Sequence, residues 1–306
     1  MGILSKWIES LGYELEILPT CTRNLSPYST CKKCVDACGE QAISIENGRP
    51  LINQNKCTDC GNCISTCPVQ SIAGIYPKRT VIQNQLVIKE EKIPTIKELL
   101  ILFKKGIRTI VAETPDILEN WKETIDEANL LLVELGEVPF STEIKLIKEE
   151  IVVSRRELLS LWKEESKSVM KQAAPAKWRF NHSDFHLPKY FKDYQFATIR
   201  INPEKCTLCP VCQKLCEKKC ISILDEHMSI TSQNCSACQL CVDACPEQAI
   251  VVDEQISKAE EIVLSIFDQN CHSCKRPFRT LSEHNSNCVV CTKRNYYIEG
   301  ERNLDF

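Results

Sequence analysis

A shift of 178 residues carries Cys31, Cys34, Cys38, Cys57, Cys60, Cys63 and Cys67 onto Cys209, Cys212, Cys216, Cys235, Cys238, Cys241 and Cys245. The same shift takes Ile43 onto Ile221, Ile45 onto Ile223 and Ile72 onto Ile250. Ligand-type side chains and apolar packing positions therefore repeat together, and such a chain is expected to fold as two copies of one small unit.

The chain has 306 residues and 21 cysteines, and none of the cysteines lies between Cys67 and Cys206. Lys6, Glu9, Glu14 and Glu16 stand where a secretory signal needs an apolar core, and no run reaches the ~18 apolar residues of a membrane span. The expected location is the cytoplasm, with peripheral attachment to the inner membrane face as the one membrane option and no transmembrane segment. In that reducing compartment, densely spaced thiols bind metal rather than pair as disulfides. The net charge of −3 argues against nucleic acid as a partner.

Within each copy the spacing is Cys57-x2-Cys60-x2-Cys63-x3-Cys67-Pro68 and Cys235-x2-Cys238-x2-Cys241-x3-Cys245-Pro246. Zinc knuckles come as cysteine pairs, whereas trios followed by a fourth thiol at x3 are the spacing that grips 4Fe-4S clusters. The pattern strongly resembles the bacterial dicluster ferredoxin family over residues 19–76 and 199–252. That resemblance implies a pseudo-twofold unit of two antiparallel hairpins and two short helices, in which the fourth cysteine of each motif ligates the other cluster. It implies four 4Fe-4S clusters: one on Cys21, Cys31, Cys34 and Cys67, and one on Cys57, Cys60, Cys63 and Cys38. A third falls on Cys206, Cys209, Cys212 and Cys245, and a fourth on Cys235, Cys238, Cys241 and Cys216. Ile43 to Ile45, Asn47-Gly48 and Leu51-Ile52 read as a β-hairpin with a type I′ turn, and Ile221 to Ile223 with Met228 to Ile230 repeat it.

The sequence departs from the family pattern in three ways. Tyr28 stands where the second copy has Cys206, so the first ligand of that cluster falls to Cys21, seven residues upstream, through a longer loop containing Pro27. Gly39 and Glu217 replace the proline after the fourth cysteine. Cys220 takes the place of Ala42 and Ala249 and reads as a small packing residue.

Cys271-x2-Cys274-x13-Cys288-x2-Cys291 makes a four-thiolate site of two knuckles, and Lys275-Arg276-Pro277-Phe278 resembles the turn of a zinc ribbon. One zinc ion is expected there, stapling a segment too short to build its own core; a rubredoxin-like iron takes the same ligands.

Thr95-x-x-Glu98 opens a helix that Gly106 ends, Ile107 to Val111 reads as a buried strand, and Thr114-Pro115 opens a second helix running to Gly136. A second strand at Glu150 to Val153 and a third helix from Ser154 complete a small α/β insert without a phosphate loop or a catalytic cluster. Seven of the chain's aromatics, from Trp178 to Phe196, crowd the stretch before the second copy and read as packing. Ile3, Leu4, Trp7, Ile8 and Leu11 form an amphipathic stripe.

The expected class is α+β: two ferredoxin-like 2×(4Fe-4S) modules separated by a small α/β insert and followed by a C-terminal zinc ribbon. The segments are 1–18 (amphipathic helix), 19–79 (first module), 80–175 (insert), 176–198 (aromatic linker), 199–255 (second module) and 256–306 (ribbon tail). The function expected is electron transfer by a non-catalytic subunit serving a separate oxidoreductase; the resemblance points to a molybdenum-type dehydrogenase or reductase, or a hydrogenase. Two alternatives are a stand-alone redox enzyme using the insert and a metal-stabilised regulatory or nucleic-acid-binding protein.

Overall fold

Asn47 and Gly48 both adopt positive φ, 49° and 80°, and close the hairpin that the Asn-Gly pair predicts. This computed structural model describes residues 15–74, 76–77, 79–88, 92–145 and 185–294. The chain divides into two units, Met1–Asn24 with Lys32–Tyr190 and Leu25–Cys31 with Phe191–Phe306.

In the first unit, β1 (Glu16–Ile17) pairs antiparallel with β4 (Ile72–Ala73). Between them come α1 (Lys33–Asp36), the hairpin of β2 (Ile43–Glu46) and β3 (Arg49–Ile52), and α2 (Asn62–Thr66). Leu15, Ile43, Ile64 and Ile72 supply its core together with Cys63 and Cys67. Glu16 and Ile17, expected at the end of an N-terminal helix, are strand residues because they complete this sheet; the stripe from Ile3 to Leu11 lies outside the described residues.

The insert that follows is a four-stranded sheet ordered β5 (Thr80–Ile82), β6 (Gln85–Ile88), β7 (Thr109–Ala112) and β8 (Ser141–Ile144). β5 and β6 form an antiparallel hairpin, while β6, β7 and β8 run parallel and are joined through helices, as parallel neighbours require. The first crossover is α3 (Ile96–Lys104), whose Thr95 hydroxyl accepts the Glu98 amide as an N-cap and whose chain turns off at Gly106 with φ 103°. The second is α4 (Pro115–Glu134), which buries Trp121, Ile125, Ala128 and Leu132 at helical spacing. Phe103 of α3 meets Phe140 edge-on, centroids 5.5 Å apart. The observed third parallel strand is thus Ser141–Ile144; the strand expected at Glu150 to Val153 and the helix from Ser154 lie outside the described residues.

A buried ion pair ties the insert to the module before it. Arg79 donates from Nε and Nη2 to the two oxygens of Glu98, 2.9 Å each, and Tyr76 donates its hydroxyl to the same carboxylate at 2.5 Å. The Thr95 and Ser65 hydroxyls, 3.0 Å apart, join the start of α3 to α2.

In the second unit, β10 (Thr198–Ile201) pairs antiparallel with β13 (Ile250–Asp253), enclosing α5 (Val211–Leu215), the hairpin of β11 (Ile221–Ile223) and β12 (His227–Thr231), and α6 (Leu240–Asp243). The hairpin pair Ile221↔Ile230 lies 178 residues on from Ile43↔Ile52, and α5 and α6 start at the same shift from α1 and α2. Backbone conformation repeats too. Gln41, Asp59, Gly61 and Gln70 have positive φ, and so do Lys219, Ala237, Gln239 and Gln248.

Residues 256–306 are not a separate appendage where they are described. β14 (Ser257–Lys258) pairs with β9 (Tyr194–Gln195), and β15 (Glu261–Ser265) adds a third strand to the β11–β12 hairpin. Beyond it, β16 (Phe267–Asn270) and β17 (Pro277–Thr280) form a hairpin, and Leu281 enters the core of this unit. The aromatic stretch is also divided by packing: Phe185 lies against Tyr76 of the first unit, centroids 4.7 Å apart, whereas Phe191 stacks edge-on with Phe196 of the second.

Candidate metal centres

The loop from Cys57 to Cys63 is shaped by two left-handed residues. Asp59 (φ 53°) and Gly61 (φ 80°) both adopt positive φ, one on each side of Cys60. Gly61 has a steric reason as well: a Cβ there would stand 2.6 Å from Pro77 Cδ and 2.8 Å from Tyr76 Cε2. The second copy winds the same way through Ala237 (φ 52°) and Gln239 (φ 61°). α2 then presents Cys63 from its first turn.

Cys57, Cys60, Cys63 and Cys38 line one shallow recess, walled by Leu15, Ala42, Ile43 and Ile52. Cys206, Cys209, Cys212 and Cys245 line another, bounded by Ile201, Val211, Ala249 and Ile250. Each recess takes three thiols from one motif and the fourth from the other motif of its unit, the grouping expected from the dicluster spacing. Cys216, Cys235 and Cys238 lie close enough to Cys241 for their charges to act on it. Of the remaining set, Cys21, Cys34 and Cys67 belong to the first unit and Cys31 to the second.

Strand register bears on Cys21. The Leu18 amide bonds Ser71 O at 2.7 Å, and the Asn202 amide bonds Ala249 O at 2.8 Å in the equivalent place. Cys21 follows Leu18 by three residues and Cys206 follows Asn202 by four, each amide turning back to that residue's carbonyl at 3.1 Å. Tyr28, which occupies the position given by simple repetition, is 71% exposed.

Each module supplies sulfur with the same donor. The amide four residues after the last cysteine of each motif points at that cysteine's sulfur: Ala42 to Cys38 and Ser71 to Cys67 at 3.2 Å, Cys220 to Cys216 and Ala249 to Cys245 at 3.4 Å. Sequence reasoning placed the thiols but missed these amides, because any residue except proline provides one.

Burial and crowding push several of these thiols up. Cys63 is raised to about 12 by burial and then by the neighbouring Cys60 and Cys57, and burial raises Cys212 and Cys238 to about 11. Four thiolates in one recess repel each other and have lost water, so they ionise together only against a compensating positive charge. Iron in a 4Fe-4S cube provides that charge, and the donor set, cross-motif grouping and sulfur-directed amides all fit such a cluster.

The tail gathers a different centre. The sulfurs of Cys271, Cys274, Cys288 and Cys291 all lie within 4.8 Å of one another, with Cys274 and Cys288 at 3.9 Å. Tetrahedral zinc at about 2.3 Å from each sulfur spaces them about 3.8 Å apart. The amide of Cys288 donates to Cys271 Sγ at 3.3 Å, and Asn287 Oδ1 accepts from the Ser273 hydroxyl at 2.8 Å, joining the two knuckles. Backbone amides, that of Cys274 foremost, hold Cys271 down at about 6, as a thiolate ligand needs. The four donors therefore fit a tetrahedral metal ion.

Residues 29–71 match the family pattern described as a 4Fe-4S dicluster domain. The chain is also similar to the Polyferredoxin protein MvhB of Methanothermobacter marburgensis, 42% identical across a match that covers 12% of this chain and 12% of that protein. Together with the thiol-lined recesses, these likenesses support an iron-sulfur, ferredoxin-like protein that transfers electrons.

Proposed function

We propose that this chain is a four-cluster polyferredoxin carrying electrons to or from a separate catalytic oxidoreductase, with one zinc ion in its tail. The observation that carries this reading is the grouping of thiols in the two recesses, three from one motif and one from its mate, in both units. The recurrence of strands, helices and left-handed residues at the shift of the cysteine repeat supports two modules rather than one.

The ligand sets proposed are Cys21, Cys31, Cys34 and Cys67; Cys57, Cys60, Cys63 and Cys38; Cys206, Cys209, Cys212 and Cys245; and Cys235, Cys238, Cys241 and Cys216. Bound clusters supply one-electron transfer with little rearrangement. The chain's own residues hold the cube in an apolar wall, direct amides at its sulfurs and so set its potential. Cys271, Cys274, Cys288 and Cys291 are assigned to zinc, which is redox-inert and fastens the tail. The partner proposed is a molybdenum-type dehydrogenase or reductase, or a hydrogenase, and the location proposed for the chain is the cytoplasm. The insert, joined to the first module through Arg79 and Glu98, sets its surroundings and offers the docking element.

The test is anaerobic purification from the native cell followed by assay alone and with co-purifying proteins. The proposal expects reversible reduction of the isolated chain in one-electron steps, up to about four electrons per chain, no substrate turnover by it, and coupling when the partner oxidoreductase is added. Turnover by the isolated chain, lost on deleting residues 85–145, would instead establish an enzyme built on the insert.

A further inference from the structure

The second module carries, at one recess, an ion pair that its first-module counterpart has no residues to make. Glu247 lines the recess of Cys206, Cys209, Cys212 and Cys245, and its carboxylate accepts a hydrogen bond from Lys293 Nζ at 2.7 Å. A shift of 178 residues puts Val69 in the place of Glu247, and the first copy is followed by the insert rather than by a cysteine-bearing tail.

One end of this pair belongs to the tail's metal centre. Residues 289–294 are helical, so Lys293 is fixed to Cys291 by less than one turn. A second contact reaches the other end of the same ligand set. Asn285, which lies between the two knuckles, donates from Nδ2 to Glu204 O at 3.4 Å, just before Cys206. The tail therefore touches the chain beside both Cys206 and Cys245, and the gathering of Cys271, Cys274, Cys288 and Cys291 sets where it touches.

Charge gives this contact an electrical consequence. A reduced cluster carries one more negative charge than an oxidised one, so a carboxylate at its recess opposes reduction and an ammonium beside that carboxylate offsets the opposition. The Glu247 side chain is only 17% exposed and weakly screened, whereas that of Lys293 is 53% exposed, and an exposed lysine keeps one place only if its backbone is held there.

We infer that the metal-bound tail is a clamp on the cluster held by Cys206, Cys209, Cys212 and Cys245, and that Lys293 is a positioning residue whose ammonium, kept against Glu247 by the zinc at Cys291, makes that cluster easier to reduce. The inference rests on the reading of four clusters and one zinc given above. It gives the tail a redox consequence although its own metal is redox-inert.

The test is a redox titration of the holoprotein followed by electron paramagnetic resonance, with iron and zinc counted in every sample. Iron far below about sixteen per parent chain defeats the four-cluster reading, zinc far below about one defeats the zinc reading, and the inference falls with either. With both metals in place, Lys293→Gln is expected to lower the midpoint of one cluster so that its reduced-to-oxidised ratio at fixed potential falls about threefold, within the range of a partly exposed ion pair. Glu247→Gln should raise the same midpoint by a similar factor, the double variant should return close to the parent, and both shifts should shrink at high salt. Opposite signs separate charge from damage, since a pair that only fastened the tail would move the midpoint the same way whichever partner was lost. Cys288→Ser, which releases the zinc, should lower that midpoint as Lys293→Gln does and add nothing in the Lys293→Gln background. Unchanged midpoints, or shifts of one sign, in the two single variants overturn the inference. So does a zinc-free Cys288→Ser chain whose midpoint stays at the parent value.

Discussion

Gly61 and Gln239 hold the same left-handed place in the two cluster loops, yet only the first is under steric compulsion. A left-handed residue with a Cβ costs about 1–2 kcal/mol, which Gln239 offsets by donating its side-chain amide to Val252 O at 3.0 Å. At Gly61 the added carbon would also run into Pro77 and Tyr76, so Gly61→Ala is expected to cost more than that, about 2–3 kcal/mol. The check is the urea midpoint of the holoprotein against Gln239→Ala, which should lose only the side-chain hydrogen bond. Cys21 is the other decisive residue. Its place after β1 parallels that of Cys206 after β10, so Cys21→Ala should turn one cubane into a 3Fe-4S centre, seen by electron paramagnetic resonance. An unchanged spectrum would make Cys21 a bystander and move the fourth ligand elsewhere.

At the scale of elements, the hairpin at Asn47-Gly48 was legible because positive φ is written in those two residues. The β5–β6 hairpin was not, since its left-handed turn residues are Gln83 and Asn84, with no glycine to mark it. Thr95-x-x-Glu98 was read correctly as a helix start, but the same letters hid the role of Glu98: its side chain turns away from the cap into the buried pair with Arg79. Both side chains are nearly enclosed, 8% and 6% exposed, so Glu98→Ala leaves an uncompensated cation and should cost about 3–5 kcal/mol. Denaturation of the first unit, with cluster absorbance followed separately, distinguishes this loss from damage to a ligand loop. The tail's attachment was equally hidden, because a strand's choice of a distant partner leaves no local mark. Since β15 and Leu281 are shared with the second module, Cys288→Ser should release about one zinc per chain and make that module easier to unfold, while its cluster signals persist at low denaturant. Immediate loss of a cluster signal would mean that the tail thiols supply a cluster.

For the molecule as a whole, the cysteine repeat made most of the candidate centres readable, because a cluster demands thiols at fixed spacing whatever the surrounding sequence. Partner, potential and direction of electron flow depend on surface shape and on hydrogen bonds that no spacing encodes. Among the described residues no helix is long and apolar enough to cross a membrane. Chemical analysis of anaerobically purified protein counts the clusters. Two modules with all four ligand sets filled give about sixteen iron and about sixteen acid-labile sulfide per chain, with about one zinc. About eight of each, with the second module's thiols still open to alkylation, would mean that only one module holds clusters.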